Sequence, residues 1–203
     1  MTNTQEHRRS IKSASPKVTL ADCHVANCRV LPARENLLDR IASGGICAEI
    51  GVANGDFTKE IIARCKPDKI HLVDAWSSER YRDQIHVVQK NFADQIARGS
   101  VQLHIGKSTD IMPSFADQYF DWVYLDTDHT YLTTRDELVL SRLKTKPGGR
   151  IAGHDFTSGN SVKPWPYGVI EACNEFCVLY GWEYEFLTLE SHGHSSFCLK
   201  EIT

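Results

Sequence analysis

After a polar opening stretch, short apolar runs alternate along the chain with segments whose apolar residues recur every three or four positions. Residues 46–52 form an apolar run broken only by Glu49 and Gly51, the pattern of a parallel strand buried on both faces. Phe57, Ile61, Ile62 and Cys65 follow at helical spacing. Residues 70–73, 101–105, 122–125 and 150–153 repeat the strand pattern, and three of these runs stop at Asp74, Asp126 and His154-Asp155. Between them lie two helical stripes. The first is Tyr81, Ile85, Val88, Phe92 and Ile96, closed by Gly99; the second is Leu132, Val139 and Leu143, stopped by Pro147-Gly148-Gly149. A short amphipathic helix over 33–43, ending at Gly44-Gly45, precedes the first strand. Val169, Cys173, Phe176, Cys177 and Tyr180 make a last helical stripe. Residues 183–189 and 196–202 read as a closing antiparallel hairpin around Ser191-His192-Gly193.

This alternation predicts an α/β fold, a doubly wound, mostly parallel seven-stranded sheet with a C-terminal antiparallel hairpin. Ligands bind such sheets at the carboxyl ends of the strands, and here those ends are acidic. Residues 1–32, polar at the start and carrying Arg8, Arg9 and Lys12, are expected to be a flexible tail or a lid. Residues 33–203 are expected to form one domain, the ordinary size for a single sheet between two helix layers.

Composition changes the picture mainly by exclusion. A net charge of −3, from 23 basic and 26 acidic residues, gives no electrostatic reason to expect a nucleic-acid partner. No apolar run is long enough to span a bilayer, so a cytoplasmic protein without a membrane partner is expected. The seven cysteines contain no CxxC pair and read as buried free thiols of a reducing compartment. Homo-oligomerisation is left open.

The first strand runs into Glu49-Ile50-Gly51-Val52-Ala53-Asn54-Gly55. Its glycines allow a tight turn and close backbone approach. It lacks the GxGxxG of a pyrophosphate cradle, because Glu49 stands two residues before Gly51. A carboxylate there suits a ligand that is positively charged and has no phosphate, and Asp74 at the next strand tip can accept both hydroxyls of a ribose. Two other readings are a nicotinamide-dependent oxidoreductase, which would have lost its phosphate loop, and a binding module that kept the fold without the chemistry.

At these residues the sequence resembles the class I methyltransferases, whose first motif (acid, x, Gly, three residues, Gly) is matched by Glu49, Gly51 and Gly55. The resemblance implies S-adenosylmethionine as cofactor. Its amino-acid end would lie along Glu49, Gly51, Val52, Asn54 and Gly55, its ribose on Asp74, and its adenine near Ala75, Trp76 and Ser108. Asp126 would close the cofactor site from the fourth strand.

Asp126-Thr127-Asp128-His129 and the later Gly153-His154-Asp155 are similar to a small-molecule O-methyltransferase group that includes macrolide- and sugar-modifying enzymes and is related to the catechol type. The similarity covers about residues 46–177. It implies a hydroxyl-bearing small-molecule acceptor, with Asp126, His129 and His154 as catalytic residues and His129 as general base. It also implies a divalent cation, magnesium or manganese, on Asp126, His154 and Asp155. The chain departs from the metal-dependent members at His154, where an oxygen ligand is usual. The imidazole weakens the magnesium reading and admits manganese, iron or no metal. Asp128 is also read as a helix cap, and His192 and His194 as solvated turn residues.

Overall fold

The structure is a computed structural model that describes residues 4–160, 162 and 164–203. In chain order α1 (Gln5–Ala14) and a 3₁₀ turn (Asp22–His24) lead into β1 (Arg29–Leu31) and α2 (Arg34–Leu38). The first wound half follows as β2 (Ile46–Ile50), α3 (Asp56–Cys65), β3 (Lys69–Asp74), α4 (Gln84–Asn91), α5 (Ala93–Ala97), β4 (Val101–Ile105) and α6 (Ser108–Ile111). The second half is β5 (Phe120–Leu125), α7 (Tyr131–Lys144), β6 (Thr145–Gly153), the short pair β7 (Gly159–Asn160) and β8 (Trp165–Pro166), and α8 (Val169–Tyr180). The strands β9 (Trp182–Thr188) and β10 (Phe197–Glu201) form the closing hairpin.

The main sheet has eight strands in the order β1-β9-β10-β6-β5-β2-β3-β4. Strands β2 to β6 are mutually parallel, while β10 runs antiparallel between β6 and β9. One strand more than the sequence predicts comes from the N-terminal segment, where β1 pairs in parallel with β9. The opening residues read as a tail form the helix α1, capped by the Thr4 side chain. Lys12 of this helix binds Glu171 at 2.6 Å and the Tyr167 carbonyl at 2.8 Å, so α1 lies against the loop before α8.

The strand pleat sends alternate residues into two cores. Cys47, Leu72, Trp122 and Tyr124 pack on one face with Leu37, Leu38, Phe57, Ile61 and Val88 of the helices. Ala48, Ile50, Val73, Val123 and Ile151 pack on the other with Leu138, Val169, Cys173, Phe176 and Cys177. The predicted long stripe of 81–96 is divided between α4 and α5 at Phe92, yet Val88 and Phe92 remain buried. In α7 the predicted stripe is on the wrong side. Leu132 is 59% exposed, and the face toward the sheet is Thr134, Glu137, Leu138 and Ser141. Polar groups occupy a core face here because Glu137 finds hydroxyl partners in Ser108 and Thr127. Of the cysteines, five are buried, Cys28 is half-buried and Cys23 is exposed.

The sheet turns at β2, which has β3 on one side and β5 on the other. The chain winds outward in both directions from this pair, so a crevice for ligand forms beyond the carboxyl ends of β2 and β5. Away from it, near the β4 edge, His71 Nδ1 lies 2.9 Å from His104 Nε2 and His71 Nε2 lies 3.1 Å from the Tyr119 hydroxyl. The edges and faces of Phe115 and Phe120 enclose this chain of polar groups. Burial lowers the His71 pKa to about 4, with the neighbouring His104 adding to the effect. The unfolded chain therefore binds protons more readily at this site between pH 6.5 and about 4. The contribution is complete above pH 6.5 and is lost as the pH falls through that window. Denaturant unfolding should show about 3 kcal/mol of acid-sensitive stability that a His71→Leu variant lacks. Parallel pH profiles for the two proteins would contradict this account.

Candidate functional site

At the switch point three strand tips are tied together through backbone and carboxylate. Gly51 N donates to Val73 O at 2.8 Å and Asp126 N to Ile50 O at 2.7 Å. Gly51 has φ +89°, and a Cβ on it would stand 1.9 Å from Asp126 O. The glycine is thus required by the neighbouring strand's backbone as well as by the tight turn that the sequence assigned to it. Gly55 likewise faces the Phe92 ring, 2.8 Å from where its Cβ would be.

Asp74 grips the same loop. Its Oδ2 accepts from Val52 N at 2.8 Å and Ala53 N at 2.9 Å, and its Oδ1 accepts from Trp76 N at 2.8 Å. The Trp76 indole donates to Ala53 O at 2.8 Å and is buried in the core, with half-buried Ala75 beside it. Asn54 turns the loop into α3 through its bonds with Asp56. Glu49 points inward, 1% exposed, and accepts from Thr58 Oγ1 at 2.5 Å. Burial pushes its carboxyl up to about 8, with Asp126 and Asp74 raising it further against Thr58 and Arg34. It is therefore mostly neutral near pH 7, a state the sequence argument for a fixed carboxylate there did not include.

The second half of the site gathers around Asp155. His129 Nε2 lies 3.1 Å and His154 Nδ1 3.3 Å from its Oδ2, and His194 Nδ1 bonds its Oδ1. Burial alone would raise the Asp155 pKa, but the His154 hydrogen bond and the charges of His129 and His154 hold it well below the usual carboxylate range. Asp126 Oδ2 stands 3.9 Å from His154 Nδ1 and 3.7 Å from the Arg34 guanidinium. Burial raises its pKa despite those neighbours. His129 and Asp155 both sit at positive φ, 61° and 55°. Their turns are pinned by the backbone bonds Gly168 N to His129 O and Thr157 N to Asp155 O. The Tyr167 ring covers His129 at 4.7 Å between centroids. Asp128 supports the turn into α7 by accepting from Thr130 N and Thr133 Oγ1, while Thr130 is the cap itself.

The two halves meet through Glu137. It is 1% exposed and accepts from Ser108 Oγ at 2.5 Å and Thr127 Oγ1 at 2.9 Å. Burial pushes it up to about 7, with Asp128 and Asp136 adding to the rise. A larger cleft of about 290 Å³ lies at the other end of the strands, among residues 41–45, 121–122 and 146–150. Its charges are already paired, Lys146 with Asp121 and Arg150 with Glu185. It holds none of the convergent acids and imidazoles.

All the sequence-predicted residues thus stand at one end of the sheet. Asp126, His154 and Asp155 each offer a ligand atom within 4.8 Å of the others. Three participants were not found from sequence. Arg34 enters from α2, its guanidinium 4.3 Å over the Phe57 ring and facing Asp126. Glu137 is hidden in a helix interior. His194 was read as solvated, but β10 pairs antiparallel with β6, with Phe197 opposite Gly153. That register brings the residues before β10 to the tip of β6.

A doubly wound sheet with an acidic first loop, a second-strand Asp and an Asp–His cluster at the later tips defines a class I S-adenosylmethionine-dependent methyltransferase. The chain belongs to the methyltransferase-domain family, whose profile matches residues 48–156, more than half of its length. No curated protein sequence matches it. Solved structures share the fold at low identity. The pyocyanin biosynthetic protein PhzM is 16% identical with a TM-score of 0.57, over 80% of this chain and 51% of its own. The chain thus spans about half the length of that protein. An rRNA methylase from Streptococcus thermophilus is 12% identical with a TM-score of 0.59, over 84% of this chain and 95% of its own. A SAM-dependent methyltransferase from Aquifex aeolicus is 12% identical with a TM-score of 0.60, over 95% and 97%. Among the described residues no helix is long and apolar enough to cross a membrane.

Removing the Asp74 carboxylate should loosen the loop even without cofactor, because three backbone amides lose a charged acceptor. Asp74→Ala is expected to cost about 3 kcal/mol in denaturant unfolding. Unchanged stability would contradict the clamp.

Proposed function

We propose that the protein transfers a methyl group from S-adenosylmethionine to a hydroxyl of a small molecule. The observation that carries this reading is the Asp155 carboxylate holding His129 and His154 beside Asp126, next to the cofactor loops. The site suits the cofactor: Asp74 and Asp126 stand at the tips of the strands flanking β2, for a ligand that carries positive charge and a diol but no phosphate, while the buried Glu49 braces the loop from within through Thr58. Bound S-adenosylmethionine supplies an electrophilic methyl group.

The chain's residues then have to orient the acceptor and remove its proton. Asp155 engages His129 through Nε2 and fixes that nitrogen as the donor, leaving Nδ1 to accept the hydroxyl proton. The Tyr167 ring limits the swing of the imidazole and screens it from water. Arg34 offers a cation for the carboxylate end of the cofactor, close to Asp126.

Asp126, Asp155 and His154 are also the residues that would hold a divalent cation, which would lower the pKa of a coordinated hydroxyl. Two carboxylates with an imidazole fit manganese, iron or zinc better than magnesium, which favours oxygen ligands and retained water. A small-molecule acceptor is favoured over RNA by the net charge of −3 and the acidic character of the site. A protein of this chemistry without a membrane partner suits the cytoplasm.

Titration calorimetry with S-adenosylmethionine and S-adenosylhomocysteine should give saturable binding of both, weakened in Asp74→Ala. Heat from neither ligand would overturn the cofactor reading. Once an acceptor is in hand, His129→Asn should lower kcat by at least about a hundredfold while leaving S-adenosylhomocysteine affinity in place. A rate within a factor of two of the parent would remove His129 from the mechanism. Dialysis against chelator separates the metal question from both: full activity afterwards means Asp126, His154 and Asp155 act without a cation.

A further inference from the structure

The segment between β6 and α8 closes on itself. Gly159 and Asn160 of β7 pair with Pro166 and Trp165 of β8. Tyr167 N donates to Ser158 O at 3.1 Å, and Asn160 Nδ2 donates to the Tyr167 hydroxyl at 3.4 Å. These bonds shape the loop, but none of them ties it to the sheet. Its last residue is the one that reaches the strand-tip cluster. The Tyr167 ring lies 4.7 Å from that of His129 and 6.1 Å from that of His194, between centroids.

The helix α1 fastens this loop from outside. Lys12 Nζ donates to Tyr167 O at 2.8 Å and pairs with Glu171 Oε1 at 2.6 Å. The His7 ring lies 6.0 Å from the Trp165 ring. One ammonium thus bridges the end of the loop and the first turn of α8. The second carboxylate oxygen of Glu171, Oε2, is buried and has no hydrogen-bond partner among the described residues. Taking away Lys12 would therefore cost more than two contacts, because it would leave a largely buried carboxylate without its cation. The helix that carries Lys12 buries none of its own residues. It adds nothing to either core, and its grip on residues 165–171 is its principal link to the fold.

We propose that Lys12 is a positioning residue for the base: α1 acts as a latch that holds the Tyr167 ring over His129 through the Tyr167 carbonyl and Glu171. With the latch closed, the His129 imidazole is confined between the Tyr167 ring on one side and Asp155 at Nε2. Its Nδ1 is then aimed at the space an acceptor enters. With Lys12 gone, the loop loses its external tie, the Tyr167 ring leaves His129, and the imidazole gains freedom to rotate. The N-terminal segment thereby acquires a role in the reaction without touching substrate. The inference rests on the reading of His129 as general base for its purpose only; the contacts stand without it.

The test is NMR of the full chain labelled at tyrosine and histidine, without added metal, at one fixed pH. The readout is the cross-peak between the ring protons of Tyr167 and His129, assigned with Tyr167→Leu and His129→Asn. The parent is compared with Lys12→Met, which keeps the stem and removes the cation, and with Lys12→Arg, which keeps a cation that can serve both acceptors. The expected result is a cross-peak in the parent and in Lys12→Arg, and its loss in Lys12→Met while the amide spectrum elsewhere stays native. If Lys12→Met does not fold, Lys12→Gln takes its place. A cross-peak of parent strength in Lys12→Met, no cross-peak in the parent, or equal loss in Lys12→Arg overturns the proposal. S-adenosylhomocysteine titrated into the same parent sample reports separately. Absence of binding with the cross-peak behaving as expected removes the methyltransferase reading and leaves the latch; binding with an unaltered cross-peak in Lys12→Met removes the latch alone.

Discussion

The backbones leaving β2 and β5 touch at Gly51 and Asp126, with no volume between them for even a methyl group. Nearly everything at the carboxyl end of the sheet follows from this approach. It draws the Asp126 tip against the Glu49–Gly55 loop, while the bond from Gly51 N to Val73 O draws in β3. Asp74 can then reach three amides across the join, and Trp76 can cap the Ala53 carbonyl. The parallel register of β5 with β6, Leu125 opposite Gly153, sets His154-Asp155 beside Asp126. A side chain at residue 51 would push these tips apart, and the acids would no longer converge.

Four non-glycine residues at the site, Ala53, Trp76, His129 and Asp155, adopt left-handed backbone that costs each of them about 1 kcal/mol or more. For His129 and Asp155 that cost is offset by one shared feature, the contact between the imidazole and the carboxylate. The Asp155 carboxylate also holds His154 and His194, so three chain segments meet at a single anion. Such an arrangement holds the imidazoles in fixed relation to the carboxylate. It also ties the hairpin before β10 to the strand-tip cluster as well as to the sheet.

The sequence carried the architecture because strand and helix periods differ and because Gly and Asp punctuate the strand ends. It placed Glu49, Asp74, Asp126, His129, His154 and Asp155 at one end of the sheet, where the structure has them. It misread α7, since the exposed Leu132 stripe looks like a core face while the true inner face carries Glu137 and Ser141. Periodicity registers apolar residues, and a buried carboxyl satisfied by distant hydroxyls leaves no periodic trace. The N-terminal segment was unreadable for a related reason. A three-residue edge strand is too short to show a period, and the helix held by Lys12 is mostly polar and buries none of its residues. Arg34 and His194 reach the site only through tertiary pairing.

A cofactor is expected to lie in the crevice above the carboxyl ends of β2, β3 and β4. Hydrogen exchange of the whole chain with and without S-adenosylhomocysteine tests it most directly. Added protection should concentrate in residues 50–56, 74–77 and 106–109. Protection confined to residues 41–45 and 146–150, around the cleft at the opposite end of the strands, would contradict the account.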